Sequence, residues 1–255
     1  MSKPLILVTN DDSIEAKGVH ELIRSLRHIG DVVCVCPELP QSGMSMAITV
    51  NSPLHIKKLE DYHGAQMYKV NGTPVDCVKI AVDNILERKP DIVVSGINHG
   101  SNAAINVVYS GTMGAALEGC AYGIPSIGFS LTSHAEDADF TPCLPVVDIL
   151  VKAVLEKGLP DGICLNVNMP SKIKEYKEMR VTKSCKGKWN DRYDEYHDPA
   201  NRPFYWLAGN FVNEEPENED TDEWCLRHGI VSIVPIKLDP TYLHTQEFSW
   251  LPSSL

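Results

Sequence analysis

A short apolar run, Leu5 to Val8, breaks at Thr9-Asn10-Asp11-Asp12, and a new apolar spacing then begins at Val19, Leu22, Ile23 and Leu26. The run predicts a buried strand, and the spacing of three, one and three predicts an amphipathic helix after it. The alternation recurs along the first two-thirds of the chain. VVCVC (32–36) predicts a strand that leads to the loop ELPQSGMSM; strand-like segments follow near 48–58 and 66–71, then a helix from about Pro74 to Arg88. DIVVSGIN (91–98) reads as a buried strand ending in turn residues, 111–122 as a helix and IPSIGFS (124–130) as a strand. VVDILVKAVLEKG (146–158) predicts a helix closed by Gly158, and ICLNVN (163–168) the last strand of the set. Strands alternating with helices build βαβ units, so the predicted class is α/β with a mostly parallel sheet.

After about Pro170 the pattern changes. KGKWNDRYDEYHDPANRPFYWLAGNFV is rich in aromatics and turn formers and holds no helix period, while FYWLAGNFV (204–212) and VSIVPI (231–236) are strand-like. This divides the chain into a core, 1–170, and a hairpin-rich extension, 171–255, whose terminal strand returns to the core. No run of 18 apolar residues is present, so no segment reads as a membrane span, and MSKPLILVTNDD lacks the features of a signal peptide. The expected location is cytoplasmic.

Composition narrows the function classes. The net charge of −11 excludes a surface built to coat a nucleic-acid duplex. EEPENEDTDE (214–223) carries seven acids and no base; subtracting them leaves −4 for the rest of the chain. Its spacing fits no calcium loop, so it reads as a solvated segment. The eight cysteines are scattered with no C-x-x-C pair, and Cys34 and Cys36, two apart in a strand, share one face as buried reduced thiols.

Candidate chemistry gathers at three strand ends. The first ends in Asn10-Asp11-Asp12, the second runs into Gln41-Ser42-Gly43, and the third ends in Asn98-His99-Gly100-Ser101-Asn102. In a parallel sheet, ligands bind outside the carboxyl ends of the strands. Two adjacent carboxylates there repel each other unless a hard divalent cation relieves the pair. Asp11, Asp12, Ser42 and Asn98 form an all-oxygen set suited to Mg²⁺ or Mn²⁺. Alternatively, the Asp pair simply caps the following helix. Ser110-Gly111-Thr112 precedes an Ala-rich helix and offers backbone N–H groups and two hydroxyls to an anion, or an ordinary cap. Thr73-Pro74 with Asp76 reads as helix-start grammar.

These motifs, NDD, the loop Ser42-Gly-Met-Ser45, NGTPVDCVK, SGINHGSN and YSGTMGAALEG, occur in one order. The chain thereby resembles the SurE stationary-phase survival proteins, metal-dependent nucleotidases. The match is dense over residues 5–130 and extends through KWND (188–191) and VSIVPI. The resemblance implies a Rossmann-like core with a hairpin and C-terminal segment that form a homodimer or dimer of dimers. It also implies hydrolysis of nucleoside 5′- and 3′-monophosphates, with short polyphosphate as a side substrate. One divalent ion per subunit, Mg²⁺ or Mn²⁺, would rest on Asp11, Asp12, Ser42 and Asn98. The phosphate would rest against Asn98, Ser110, Gly111 and Thr112, and Asp11 or Asp12 would serve as general base. Ser13, Gln41 and His99 stand where the family usually has glycine, arginine and arginine. Asp239 and His244 are spaced unlike the family's C-terminal Asp and His and stay outside the predicted site.

The function expected is therefore a metal-dependent phosphomonoesterase, with Ser42 a ligand rather than a nucleophile. A non-catalytic nucleotide sensor on the same scaffold is the alternative. The lack of G-x-G-x-x-G after the first strand argues against a dinucleotide-dependent oxidoreductase.

Overall fold

A computed structural model describes residues 3–241, 243–248 and 250. Eleven strands and five α-helices follow in the order β1 (Leu5–Thr9), α1 (Lys17–Leu26), β2 (Asp31–Pro37), β3 (Ile56–Lys58), β4 (Gln66–Val70), α2 (Pro74–Ile80), β5 (Ile92–His99), α3 (Gly111–Ala121), β6 (Ser126–Leu131), α4 (Leu144–Lys157), β7 (Ile163–Met169), β8 (Met179–Val181), β9 (Gly187–His197), β10 (Pro203–Asn213), α5 (Asp222–Arg227) and β11 (Val231–Lys237). Nine strands make one sheet, ordered β3-β4-β2-β1-β5-β6-β7-β11-β8. The run from β4 to β7 is parallel, β3 and β11 are antiparallel to their neighbours β4 and β7, and β8 runs parallel to β11.

Alternation within the buried strands sets the layers. Ile6, Val8, Cys34 and Cys36 face the core shared with Leu22 and Ile23 of α1 and Val147 and Val151 of α4. Leu7, Val33 and Val35 face the opposite core, with Cys77 and Val78 of α2 and Ala115 of α3. Cys34 and Cys36 bring their sulfurs to 3.5 Å, and all eight cysteines are free and buried. Burial pushes the Cys143 and Cys164 thiols up to about 12.

Three sequence-based boundaries shift. The helix expected from Pro74 to Arg88 is α-helical only to Ile80 and continues as a wider turn, Ala81–Ile85. Residues 48–55 form no strand, because their backbone hydrogen bonds go to Asp76 and Asn71 rather than to a neighbouring ladder. The acidic run is only partly solvated: Asp222 is fully buried, accepting N–H bonds from Ala104 at 2.7 Å and Cys185 at 2.8 Å. Beyond residue 170 the chain gives the β9–β10 ribbon and returns β11 to the main sheet between β7 and β8.

From β1 the chain winds outward through β2 to β4, crosses back over β1, and continues outward on the other side through β5, β6 and β7. The carboxyl ends of the neighbours β1 and β5 therefore bound the crevice where strand order reverses. Asp11 and Asp12 leave β1 there, and Asn98 closes β5.

Candidate active site

Asp11 sits at the floor of the crevice, 4% exposed, and its Oδ1 accepts a 2.5 Å hydrogen bond from Thr112 Oγ1. Gly111 begins α3 directly against it, since a Cβ there would lie 2.8 Å from the Asp11 Cβ. Burial, then the neighbouring Asp12, pushes the Asp11 carboxyl up to about 6, with the Thr112 hydrogen bonds pulling the other way. Burial also raises Asp12, opposed first by the His99 backbone N–H, which donates to Asp12 Oδ2 at 2.9 Å. The Asn98 amide nitrogen donates to the Gly100 carbonyl at 2.9 Å, leaving its oxygen as the outward atom. Ser110 caps α3, accepting from the Met113 N–H at 3.0 Å.

A cleft of about 560 Å³ brings together Asp11, Ser42, Asn98 and Ser110. Thr112 and Gly111 lie behind Asp11 instead of on the cleft wall, and the Asp12 carboxylate is turned to His99. Neither Asp239, whose carboxylate is bonded to Thr241, nor His244 lines this cleft.

The loop that carries Ser42 has no regular structure and is held from outside. The Gln41 N–H donates to the Asp11 carbonyl at 2.7 Å, which ties the loop to β1. Ser45 binds the 108–109 turn through Oγ to the Val108 carbonyl at 2.7 Å and through its N–H to the Tyr109 carbonyl at 3.1 Å. Thr73 Oγ1 donates to the Ala47 carbonyl at 2.6 Å, and Asp76 accepts from the Thr49 hydroxyl at 2.6 Å and its N–H at 3.0 Å. The capping box that starts α2 thus also clamps this loop.

Ser13 adopts φ +87°, the left-handed conformation a glycine would take without strain, and costs about 1 kcal/mol. Asn10 braces the turn by donating through Nδ2 to the Ser13 carbonyl at 2.7 Å. The His99 ring packs on Phe140 with centroids 4.9 Å apart, and its Nε2 is buried without a partner among the described residues.

The donor set suits a hard cation. Two consecutive carboxylates leave β1 here; burial raises both, and the charge of Asp12 raises Asp11 further. An amide oxygen and a hydroxyl complete an all-oxygen group beside them. Among the described residues no three His, Cys, Asp or Glu side chains cluster as a metal site.

Sequence reasoning left several members of the cleft wall out of the site, among them His134, Trp189 and Glu223. Trp189 and Glu223 lie some ninety residues or more beyond Asn98 and reach the cleft only through the ribbon and α5. The sequence signal for Trp189 was KWND, read as part of the family resemblance, while Glu223 closes the acidic run read as solvated.

A family model described as survival protein SurE matches residues 6–191. The 5′-nucleotidase SurE of Flavobacterium psychrophilum is 50% identical over 246 residues, 96% of this chain and 95% of that protein. That of Bacteroides fragilis is 50% identical over 242 residues, covering 95% of this chain and 94% of its own length. The crystal structure of a SurE protein from Aquifex aeolicus aligns with a TM-score of 0.82 at 37% identity, covering 96% of this chain and 98% of the other.

Proposed function

This chain belongs to the SurE family, and we propose that it is a 5′-nucleotidase, releasing phosphate and nucleoside from nucleoside 5′-monophosphates with the help of a divalent ion. The observation that carries the reading is the buried Asp11, followed by the half-buried Asp12, at the reversal of strand order, with Ser110, the cap of α3, beside Asp11 in one cleft. Full-length relatives near 50% identity carry the 5′-nucleotidase name. No observation favours a sensor without activity.

Asp11, Asp12, Ser42 and Asn98 would hold the ion, which when bound supplies charge to polarise a phosphoryl oxygen and to acidify a water. Ser110 and the first turn of α3 present hydroxyl and N–H donors to the anion. Thr112 aligns Asp11 through its hydrogen bond and keeps that carboxylate ionised. Asp12, fixed at one oxygen by the His99 N–H, keeps its other oxygen free to accept a proton or bind the ion.

Three finer statements belong to the same reading. The ion is Mg²⁺ or Mn²⁺, one per subunit, because the donors are all oxygen. The protein assembles as a homodimer or dimer of dimers through the β9–β10 ribbon. There Tyr193 and Trp206 stand 67% and 68% exposed, more apolar surface than a lone two-stranded ribbon carries stably in water. The location is cytoplasmic; no helix among the described residues is long and apolar enough to cross a membrane.

Site-directed variants test the assignment. Asp12→Asn is expected to lower kcat by orders of magnitude with the fold intact, and Ser42→Ala to be milder, since a neutral hydroxyl binds a hard cation less strongly than a carboxylate does. Near-normal turnover by a folded Asp12→Asn protein would remove the ligand assignment. A Ser42→Ala loss greater than that of Asp12→Asn would point to a covalent serine instead.

A further inference from the structure

Glu223 is an unassigned carboxylate on the wall of the active-site cleft. Its position is fixed from below. The preceding residue, buried Asp222, binds Ala104 of the segment after β5 and Cys185 at the root of the ribbon, and also accepts the Glu223 N–H at 2.8 Å. The Glu223 carboxylate itself takes no hydrogen bond and no ion pair from any described residue. Burial, then Asp222, pushes its pKa up, with the charge of Arg227 pulling the other way. A half-buried carboxylate held this way is costly until donors reach it.

The cleft continues into a second chamber of about 600 Å³, with Gly43, Asn106, Tyr109 and Trp189 common to both. Asn106 Oδ1 accepts from the Trp189 indole N–H at 2.7 Å and so fixes the plane of that ring. The first chamber holds Asp11, Ser110 and Glu223; the second holds none of them and adds Asp191, Leu207, Ala208 and Gly209. A nucleotide with its phosphate at Asp11 and Ser110 and its base directed past Tyr109 and Trp189 into the second chamber would keep its sugar in the first chamber, whose wall includes Glu223.

We propose that Glu223 is a specificity-determining residue that accepts hydrogen bonds from the vicinal 2′- and 3′-hydroxyls of ribose, so that the preferred substrates are ribonucleoside 5′-monophosphates. The inference rests on the phosphatase reading above and names its substrate class. A carboxylate repels a phosphate dianion, so Glu223 does not serve the anion end of the cleft. Ionised, it only accepts, and its two oxygens match the two adjacent O–H donors of a cis-diol. A 3′-phosphate or a deoxyribose removes one of those donors.

The test compares kcat/KM for adenosine 5′-monophosphate and its 2′-deoxy and 2′,3′-dideoxy analogues, using metal-loaded wild type, Glu223→Ala and Glu223→Gln. Wild type is expected to favour the ribonucleotide over the dideoxy analogue by about tenfold or more, the worth of charge-assisted hydrogen bonds. Glu223→Ala collapses that ratio toward one, chiefly through KM. Glu223→Gln, which keeps one acceptor oxygen, falls between and carries the test if the alanine variant does not fold. A wild type that does not discriminate, or a ratio that survives both substitutions, overturns the inference while leaving the phosphatase reading intact. So does an equal fall in kcat on all three substrates, which would make Glu223 the acid for the leaving group. Absence of phosphate release from all three by metal-loaded wild type overturns both.

Discussion

Thr112→Val isolates the contact that governs the site's central carboxylate. The side chain is fully buried, and valine keeps its branched shape while deleting the donor to Asp11 Oδ1 at 2.5 Å. A hydrogen bond to a charged group is worth about 1.5–3 kcal/mol, and each pKa unit is about 1.4 kcal/mol, so its loss raises Asp11 by roughly 1–2 units. Starting from about 6, that places the metal-free Asp11 carboxyl between about 7 and 8. At pH 7 the ionised fraction drops from about nine-tenths to between a half and a tenth, and proton and cation compete for the same carboxylate. Mn²⁺ affinity at pH 7 should therefore weaken by roughly two- to tenfold, most of it recovered at pH 9. Calorimetric Mn²⁺ titration from pH 5.5 to 9 reads this directly, as an alkaline shift of the binding midpoint. An unmoved midpoint in a folded variant would refute the reasoning. If Thr112 served the phosphate directly, metal affinity would stay constant and product inhibition by phosphate would weaken.

Asp11 also sets a pH dependence of stability. Its folded value, about 6, lies above the ordinary 3.8, so the folded state binds the proton more tightly; the penalty is absent below pH 3.8, grows toward pH 6 and is complete above it. With Asp11 almost fully buried, its rise from 3.8 to about 6 corresponds to about 3 kcal/mol. Metal-free protein should lose stability between pH 4 and 6.5 by this contribution, and Asp11→Asn should flatten the loss; identical denaturation profiles for the two would contradict it. Asp76→Ala removes the clamp on Thr49 and should weaken Mn²⁺ binding through a looser Ser42 loop. On a Ser42→Ala background the same substitution should add little, and full additivity of the two losses would show that Asp76 does not act through Ser42.

Much of the fold was legible because buried parallel strands are short apolar runs and the covering helices keep their spacing, as Leu5–Val8 and Val19–Leu26 do. Residues 48–55 misled because β-branched and apolar residues there suggest a strand. The partner they find is the Thr73–Asp76 cap, and nothing in the local pattern announces that choice. Asp11, Ser42, Asn98 and Ser110 share one cleft because strand order brings the loops after β1 and β2, the end of β5 and the start of α3 to the same end of the sheet. Thr112 was harder to read. A threonine in the first turn of a helix looks the same whether it caps, binds an anion or serves a carboxylate a hundred residues away. Glu223 sat within an acidic run whose composition suggests solvent; only the burial of Asp222 next to it turns the chain back toward the cleft.

Phosphate release from adenosine 5′-monophosphate by chelator-stripped protein, before and after Mg²⁺ or Mn²⁺ is restored, tests the central claim most directly. The account predicts that hydrolysis vanishes on stripping and returns with either ion, because Asp11 and Asp12 are paired at the crevice to hold one. Undiminished hydrolysis after exhaustive metal removal would contradict it.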